Sequence, residues 1–345
     1  MSSQAPLTPA PLPPQSRGER GTEHAVAPVP GAIAPGKAPI SALVPMLNEA
    51  LNIGDCLRSL QFCDEIWVVD SHSQDGSAAL AEALGARVVQ FDYVRGGPKK
   101  KNWALENLPF AHPWVLILDC DERVPAEMAE EIQGAVAEPG GRAGFFLNRR
   151  VYFLGRWLKH CWYPSWNLRL FQHRLGRYEK LESGRLETGD NEVHEHVLLQ
   201  GEAGYLQHDL LHYDYRSLHQ FFERHNRYST WEAEHRLRAR QGNELPARFW
   251  GGPLERRRWL KKAALRLPGK SLLRFLYTYI WRRGFLDGYP GFLISVYMAI
   301  YEFEIGMKMH ELRLQRMRET PPTPLTPAGA AGNAECDEGD ANPLG

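Results

Sequence analysis

Residues Trp114–Arg123, Trp-Val-Leu-Ile-Leu-Asp-Cys-Asp-Glu-Arg, constrain this chain more than any other stretch. Five apolar residues in a row suit a strand buried on both faces of a parallel sheet. The run stops at Asp119 and Asp121. Along an extended chain, residues two apart point to the same side, so both carboxylates can converge on one cation. Oxygen ligands of this kind suit Mg²⁺ or Mn²⁺, above all when a diphosphate completes the shell. Ligands of open α/β sheets sit beyond the carboxyl ends of the strands, where this pair lies. The alternative is that Asp121 caps the helix signalled by Pro125-Ala-Glu-Met-Ala-Glu-Glu-Ile.

Upstream, the pattern predicts a βαβαβ unit. Ile40–Val44 is a short apolar run, followed by Pro45-Met-Leu-Asn-Glu49 and a helical stretch to about Leu60. Glu65–Val69 is a second strand ending at Asp70, and the polar turn Ser71-His-Ser-Gln-Asp-Gly-Ser77 leads into a helix over Ala78–Leu84. Gly85 terminates that helix and Arg87–Phe91 gives a third strand. Connections of this kind are right-handed and the sheet they build is parallel. A carboxylate at Asp70, directly after the second strand, can accept hydrogen bonds from ribose hydroxyls or a pyrimidine N–H. Neither G-x-G-x-x-G after the first strand nor a P-loop is present, which argues against dinucleotide and P-loop readings. Asp75-Gly76-Ser77 reads as a turn and helix cap. Gly96-Gly-Pro-Lys-Lys-Lys-Asn102 puts cations at a helix start, against the dipole, which points to an anionic neighbour; a solvated basic loop is the alternative.

Composition narrows the class. The 345 residues include 41 basic and 41 acidic ones, so no net charge argues for nucleic acid. Cys56, Cys63, Cys120, Cys161 and Cys336 are odd in number and lack zinc-ligand spacing, as expected of reduced thiols in a cytoplasmic protein. There is no signal-peptide pattern and no apolar run of about 20 residues. The expectation is a soluble or membrane-surface protein.

Together these pieces resemble glycosyltransferase family 2, the inverting nucleotide-sugar transferases of the GT-A fold. The resemblance rests on Val44-Pro-Met-Leu-Asn-Glu49, Val69-Asp-Ser-His-Ser-Gln-Asp-Gly76, Lys101-Asn-Trp-Ala-Leu105 and Leu118-Asp-Cys-Asp-Glu-Arg123, in family order and spacing. His72 departs from it, standing where a smaller residue such as Gly is more usual. A looser similarity to bacterial lipopolysaccharide-core β-glucosyltransferases covers Tyr152-Phe-Leu-Gly-Arg156, Trp162-Tyr-Pro164 with Trp166, Leu168-Arg-Leu-Phe171, Val193-His-Glu195 and His212-Tyr213.

The resemblance implies an α/β, doubly wound, mainly parallel GT-A fold with a helical C-terminal extension. It implies a UDP-sugar donor framed by Pro45, Asn48, Glu49, Asp70, Lys101, Asn102 and Asp119. Mg²⁺ or Mn²⁺ would sit on Asp121, with Asp119 holding the ribose or sharing the metal. Glu195, in Asp190-Asn-Glu-Val-His-Glu-His196, would be the general base of a single displacement, with Asp190 and Glu192 in reserve. His194 and His196 would complete a metal shell or orient the base. The acceptor would be a cell-envelope glycan or glycolipid.

Trp157, Trp162, Tyr163 and Trp166, interleaved with Arg156, Lys159 and Arg169, can form an acceptor wall of ring faces and cations. They can equally form core beneath an added layer. From composition and patterning along the chain we expect a disordered Pro/Ala-rich arm over 1–38, a catalytic domain over 39–245, a basic aromatic helical extension over 246–320 and a disordered tail over 321–345. Ser217–Arg240 reads as a long helix. Arg256-Arg-Arg-Trp-Leu-Lys-Lys262, Leu272–Ile280 and Phe292–Ile305 fit either a lipid surface or a packed helical lid. A polyprenyl-phosphate sugar transferase is the nearest rival reading, and a non-catalytic nucleotide-binding protein a more distant one.

Overall fold

Strand β1 (Ala38–Met46) is the axis on which the first half assembles. It lies between β2 (Cys63–Asp70) and β4 (Trp114–Ile117), parallel to both, and β3 (Arg87–Gln90) adds parallel to β2. The computed structural model describes residues 37–94, 97–179, 196–213, 217–238 and 269–319. Pro45 is tolerated inside β1 for a local reason. Leu43 O accepts the Leu118 N–H at 3.0 Å, and two residues on β4 has already ended, so the missing Pro45 N–H forfeits no ladder bond.

Helices cover both faces. Helices α1 (Ile53–Ser59), α2 (Ser77–Ala83) and α4 (Ala126–Ala137) bury Leu57, Ala81, Met128 and Ile132 against Ile40, Ala42, Leu116 and Leu118. Helix α3 (Lys100–Asn107) buries Ala104 and Leu105 on the other face against Leu43, Val69, Val115 and Ile117. The period-2 alternation within β4 thus feeds two cores, as a run apolar at every position requires.

The second half of the sheet is mixed. Strand β8 (Trp166–Gln172) pairs antiparallel with β4 and with β6 (Gly144–Phe153), which pairs parallel with β11 (Ala203–His212). The two-residue β5 (Glu122–Arg123) caps β11 antiparallel, and β7 (Arg156–Trp157) pairs with β6. The order β3-β2-β1-β4-β8-β6-β11-β5 ends on residues only five positions after β4, so the sheet curls back toward its own middle. Strands β9 (Gly176–Tyr178) and β10 (Val197–Leu199) form a separate hairpin.

A helical layer follows. It comprises α5 (Leu218–Arg238), α6 (Lys270–Phe275) continuing through a π-helical turn to Trp281, and the 32-residue α7 (Gly288–Glu319). Helix α5, counted with the catalytic domain from sequence, packs on α7 through Ala233, Leu237, Ile305 and Met309. The sheet meets this layer through Phe153, Leu158 and Cys161 against Phe221, Ile294 and Met298. Asp287 completes the joint, accepting the Cys161 N–H at 2.9 Å and bonding His160 Nδ1 at 2.7 Å. No helix among the described residues is long and apolar enough to cross a membrane.

Candidate active site

The carboxyl ends of β1, β2 and β4 meet in one cluster of loops. After β1, the Asn48 N–H donates to Ser73 Oγ at 2.7 Å and the Glu49 N–H to Ser77 Oγ at 3.0 Å. The Gln74 N–H returns to Asn48 Oδ1 at 2.9 Å, and Asn48 holds a left-handed φ of 53°. Asp75 accepts the Ala50 N–H at 3.0 Å and the Ser77 N–H at 3.1 Å, so the turn-and-cap reading of Asp75-Gly76-Ser77 describes its local bonds. Asp70 ends β2 fully buried, accepting from the Ser73 N–H at 3.0 Å, Gln90 Nε2 at 3.1 Å and the Ser73 hydroxyl. These bonds hold the two loops as one unit, with Asn48 and Glu49 at its rim and Asp70 beneath.

Beyond β4 the chain does not stay extended. The Glu122 N–H donates to Asp119 O at 3.0 Å, closing a turn, so the two aspartates take different partners. Asp119 meets Lys101 Nζ at 3.0 Å and Arg169 Nη2 at 2.5 Å. Burial raises the pKa of its carboxyl, but those two cations outweigh burial and hold it well below the usual range. Asp121 Oδ2 lies 3.6 Å from His212 Nε2, at the last residue of β11. Burial works against the Asp121 charge too, and His212 overcomes it to lower the pKa. Asp121 is no helix cap: Pro125 stands at the start of α4.

Glu122 is the residue of this loop that sequence reading passed over. It is fully buried, accepts the Asp119 N–H at 2.9 Å, and faces Arg169 at 3.2 Å and Arg149 at 3.3 Å. A chain of alternating charge therefore runs Lys101, Asp119, Arg169, Glu122, Arg149. Nothing in the one-dimensional sequence marks Glu122, because its partners come from β6 and β8. His212 stands in the sequence only within the His212-Tyr213 pair of the looser resemblance; its register opposite Glu122 on β5 sets it beside Asp121.

The lysines at the start of α3 do not form a solvated loop. Lys100 is fully buried with Nζ donating to Met46 O at 2.7 Å, and Lys101 is nearly so. Asn102 makes a two-way bond with the Tyr178 backbone, at 2.9 Å each way, tying α3 to β9. Lys101 Nζ also lies 5.5 Å from the Tyr178 ring centre.

The acceptor-wall residues separate. Trp162 packs with the core that joins sheet to helices. Tyr163 donates its hydroxyl to the buried Asp209 at 3.2 Å and meets Trp157 edge-on. Trp166 stands edge-on to Tyr205 at 5.1 Å, and Arg169 is buried in the charge chain. Glu195, Asp190, Glu192 and His194 lie outside the described residues. The chain is next described at His196, whose carbonyl accepts the Glu179 N–H at 2.9 Å just beyond the Tyr178–Val197 pair of β9 and β10.

Asp121 and His212 fit a divalent cation as a partial donor set: one oxygen and one imidazole nitrogen on adjacent, well-supported elements. No group of three or more His, Cys, Asp or Glu among the described residues is arranged to hold a metal. Such a pair suits an ion that completes its shell from substrate phosphates and water.

The sequence model described as Glycosyl transferase family 2 matches residues 41–189. The chain is 28% identical over 292 residues to the lipopolysaccharide core biosynthesis glycosyltransferase LpsC of Rhizobium meliloti, covering 82% of this chain and 96% of that protein. It is 27% identical over 286 residues to an uncharacterized glycosyltransferase of Rickettsia felis, covering 81% and 90%. Among solved structures, the mannosyltransferase PcManGT from Pyrobaculum calidifontis, in complex with GDP-Man and Mn²⁺, is similar at 18% identity and a TM-score of 0.44, covering 82% of this chain and 91% of that one.

Proposed function

We propose, from the match of residues 41–189 to the family 2 glycosyltransferase model and from the GT-A-like mixed sheet, that this glycosyltransferase moves a hexose, with glucose the first to test, from a UDP-sugar to a lipopolysaccharide-core or other cell-envelope glycan. The observation that carries this reading is the pairing of Asp121 with His212 beside the buried cations Lys101 and Arg169, at the carboxyl ends of the strands. The likeness to LpsC, which spans nearly the whole of that protein, supports the acceptor class.

In this reading Asp121 and His212 would hold Mg²⁺ or Mn²⁺. The bound ion would supply charge stabilisation for the departing nucleoside diphosphate. Asp119 orients Lys101 and Arg169, so that cationic groups face the phosphates while its outer edge serves the ribose. Asp70, with Pro45, Asn48 and Glu49 around it, forms the floor and rim for the nucleoside. Asn102 serves by holding Tyr178, and with it the β9–β10 hairpin, against α3.

Glu195 is the proposed base. It takes the proton of the acceptor hydroxyl as that oxygen bonds to the anomeric carbon and the carbon–phosphate oxygen bond breaks. UDP leaves from the opposite face, and the configuration inverts. What supports the assignment of Glu195 is its chain neighbour His196, whose carbonyl accepts the Glu179 N–H next to Tyr178, the residue whose ring faces Lys101. Trp162, Tyr163 and Trp166 would contribute to the acceptor side through the strands and loop that bear them. A glycolipid acceptor also calls for a peripheral position on the membrane.

The deciding experiment is donor screening: release of nucleotide from a panel of UDP- and GDP-sugars with Mg²⁺, Mn²⁺ or EDTA. Metal-dependent UDP release from one UDP-hexose is expected. Activity confined to GDP-sugars, or release indifferent to EDTA, would overturn the donor and metal parts respectively. The exposed apolar face of the helical layer favours a polyprenyl-phosphate acceptor as the second reading, and product analysis with that lipid against core oligosaccharide separates the two.

A further inference from the structure

Helix α7 is apolar on two sides. Ile294, Met298, Ile305 and Met309 are buried against the sheet domain, α5 and α6. Tyr289, Phe292, Ile300, Phe303 and Met307 are exposed. At 3.6 residues per turn the buried set spans about 60° of the circumference and the exposed set about 80°, on roughly opposite sides. A surface helix of a water-exposed layer ordinarily turns polar residues outward on that second side.

The same apolar surface continues over the turn that joins α6 to α7. Leu276, Tyr277, Ile280, Trp281, Phe285 and Leu286 are all exposed there, with Trp281 at 80%, and Tyr289 at the start of α7 is 70% exposed. A tryptophan and two tyrosines at the margin of an aliphatic surface suit the boundary between lipid headgroups and acyl chains.

Charge decides among possible occupants. Residues 269–307, which carry the whole exposed set, contain Lys270, Arg274, Arg282 and Arg283 and three acids, Asp287, Glu302 and Glu304. Glu302 is paired with Arg236 at 2.5 Å, and a Glu304 carboxylate oxygen is buried. Asp287 is 1% exposed and holds His160 and Cys161, so it presents no anion at the surface. Arg283 is exposed beside Trp281. The face is therefore apolar with a cationic edge, which complements an anionic lipid surface; a second copy of the same face would set like charges together.

We propose that the α6–α7 turn and the outer side of α7 dock this protein on an anionic membrane, lying in the headgroup layer without crossing it. This names the surface and lipid class for the peripheral position in the function proposed above. The test measures vesicle binding with no sugar transferred, so the two readings fail separately. The face is also joined to the sheet domain by a short path: Arg282 donates to Tyr163 O at 2.5 Å and His160 O at 3.2 Å. Docking through it would hold the Trp162–Tyr163 loop near the lipid surface.

The experiment is co-sedimentation of the full chain with phosphatidylglycerol–phosphatidylethanolamine vesicles and with phosphatidylcholine vesicles. Wild type should bind the former and lose binding as salt rises. The double variant Trp281→Ser, Tyr289→Ser should reduce partitioning at least about tenfold, and Arg283→Glu should weaken binding to the anionic vesicles alone. Both change exposed side chains, and unaltered circular dichroism and thermal midpoint would show that they fold. Failure of wild type to bind anionic vesicles would overturn the proposal. So would wild-type binding by the folded double variant, or a concentration-dependent dimer abolished by these substitutions without vesicle binding.

Discussion

Arg169 Nη2 stands 2.5 Å from Asp119 Oδ2, tying the middle of β8 to the carboxylate that ends β4. The same guanidinium faces the fully buried Glu122 at 3.2 Å. Removing it strands a buried negative charge. Arg169→Met should therefore cost about 3–5 kcal/mol of stability, read from urea unfolding. Arg169→Lys keeps the charge without the planar fork and should cost less. A loss below about 1 kcal/mol for Arg169→Met would mean that Arg149 alone suffices for Glu122.

Asp121 and His212 should act as one unit. Calorimetry of UDP binding with Mn²⁺ should show losses of at least about tenfold for Asp121→Ala and for His212→Ala alike. With EDTA both variants should match wild type. Equal UDP affinity of wild type in EDTA and in Mn²⁺ would refute the assignment.

For Glu195→Gln the expected pattern is a kcat lowered by about 10²–10⁴ with little change in donor affinity. The substitution keeps the shape and removes the basicity. Near wild-type transfer would exclude Glu195 and move the test to Asp190 and Glu192.

Asp287→Ala should loosen the helical layer. It leaves the backbone N–H groups of His160 and Cys161 buried without their acceptor, a loss of about 2–4 kcal/mol. Thermal unfolding should show the drop, with Asp287→Asn intermediate because it retains an acceptor oxygen. An unchanged midpoint would show that apolar contacts alone hold the joint.

Glu65 gives a pH dependence. Burial would raise its pKa, but bonds from the Ser41 hydroxyl and the Ala111 N–H, with Arg87 beyond, outweigh burial and lower it. Its contribution is thus complete above the unfolded value of about 4.3 and is lost as pH falls through the lower folded value. The stability advantage of wild type over Glu65→Gln should shrink between about pH 5 and pH 3, followed by urea unfolding at each pH. A constant difference across that range would refute it.

Much of the first half was legible because its bonds are local or between consecutive elements. The apolar runs and the turn signals after each one gave β1 to β4; α2 differs from expectation by one residue at each end, while α4 runs on to Ala137, five residues past the signalled Pro125–Ile132. The parallel order followed from the short right-handed connections. Asp119 and Asp121 were legible as a strand-end pair.

Their partners were not. An extended chain would have aimed both carboxylates one way, whereas the Asp119–Glu122 turn gives one to Lys101 and Arg169 and the other to His212. That division depends on the sheet curling until β11 meets β5, a register that no local pattern encodes. The same holds for the aromatic cluster, close in sequence yet divided between a core, a buried Asp209 and an edge-on contact with Tyr205. Sequence by itself determined which side chains end the strands and which helices have apolar faces, because periodicity and turn chemistry are local. Tertiary structure alone decided which charges neutralise one another and which apolar face of α7 stays in solvent, because both depend on strands and helices distant along the chain.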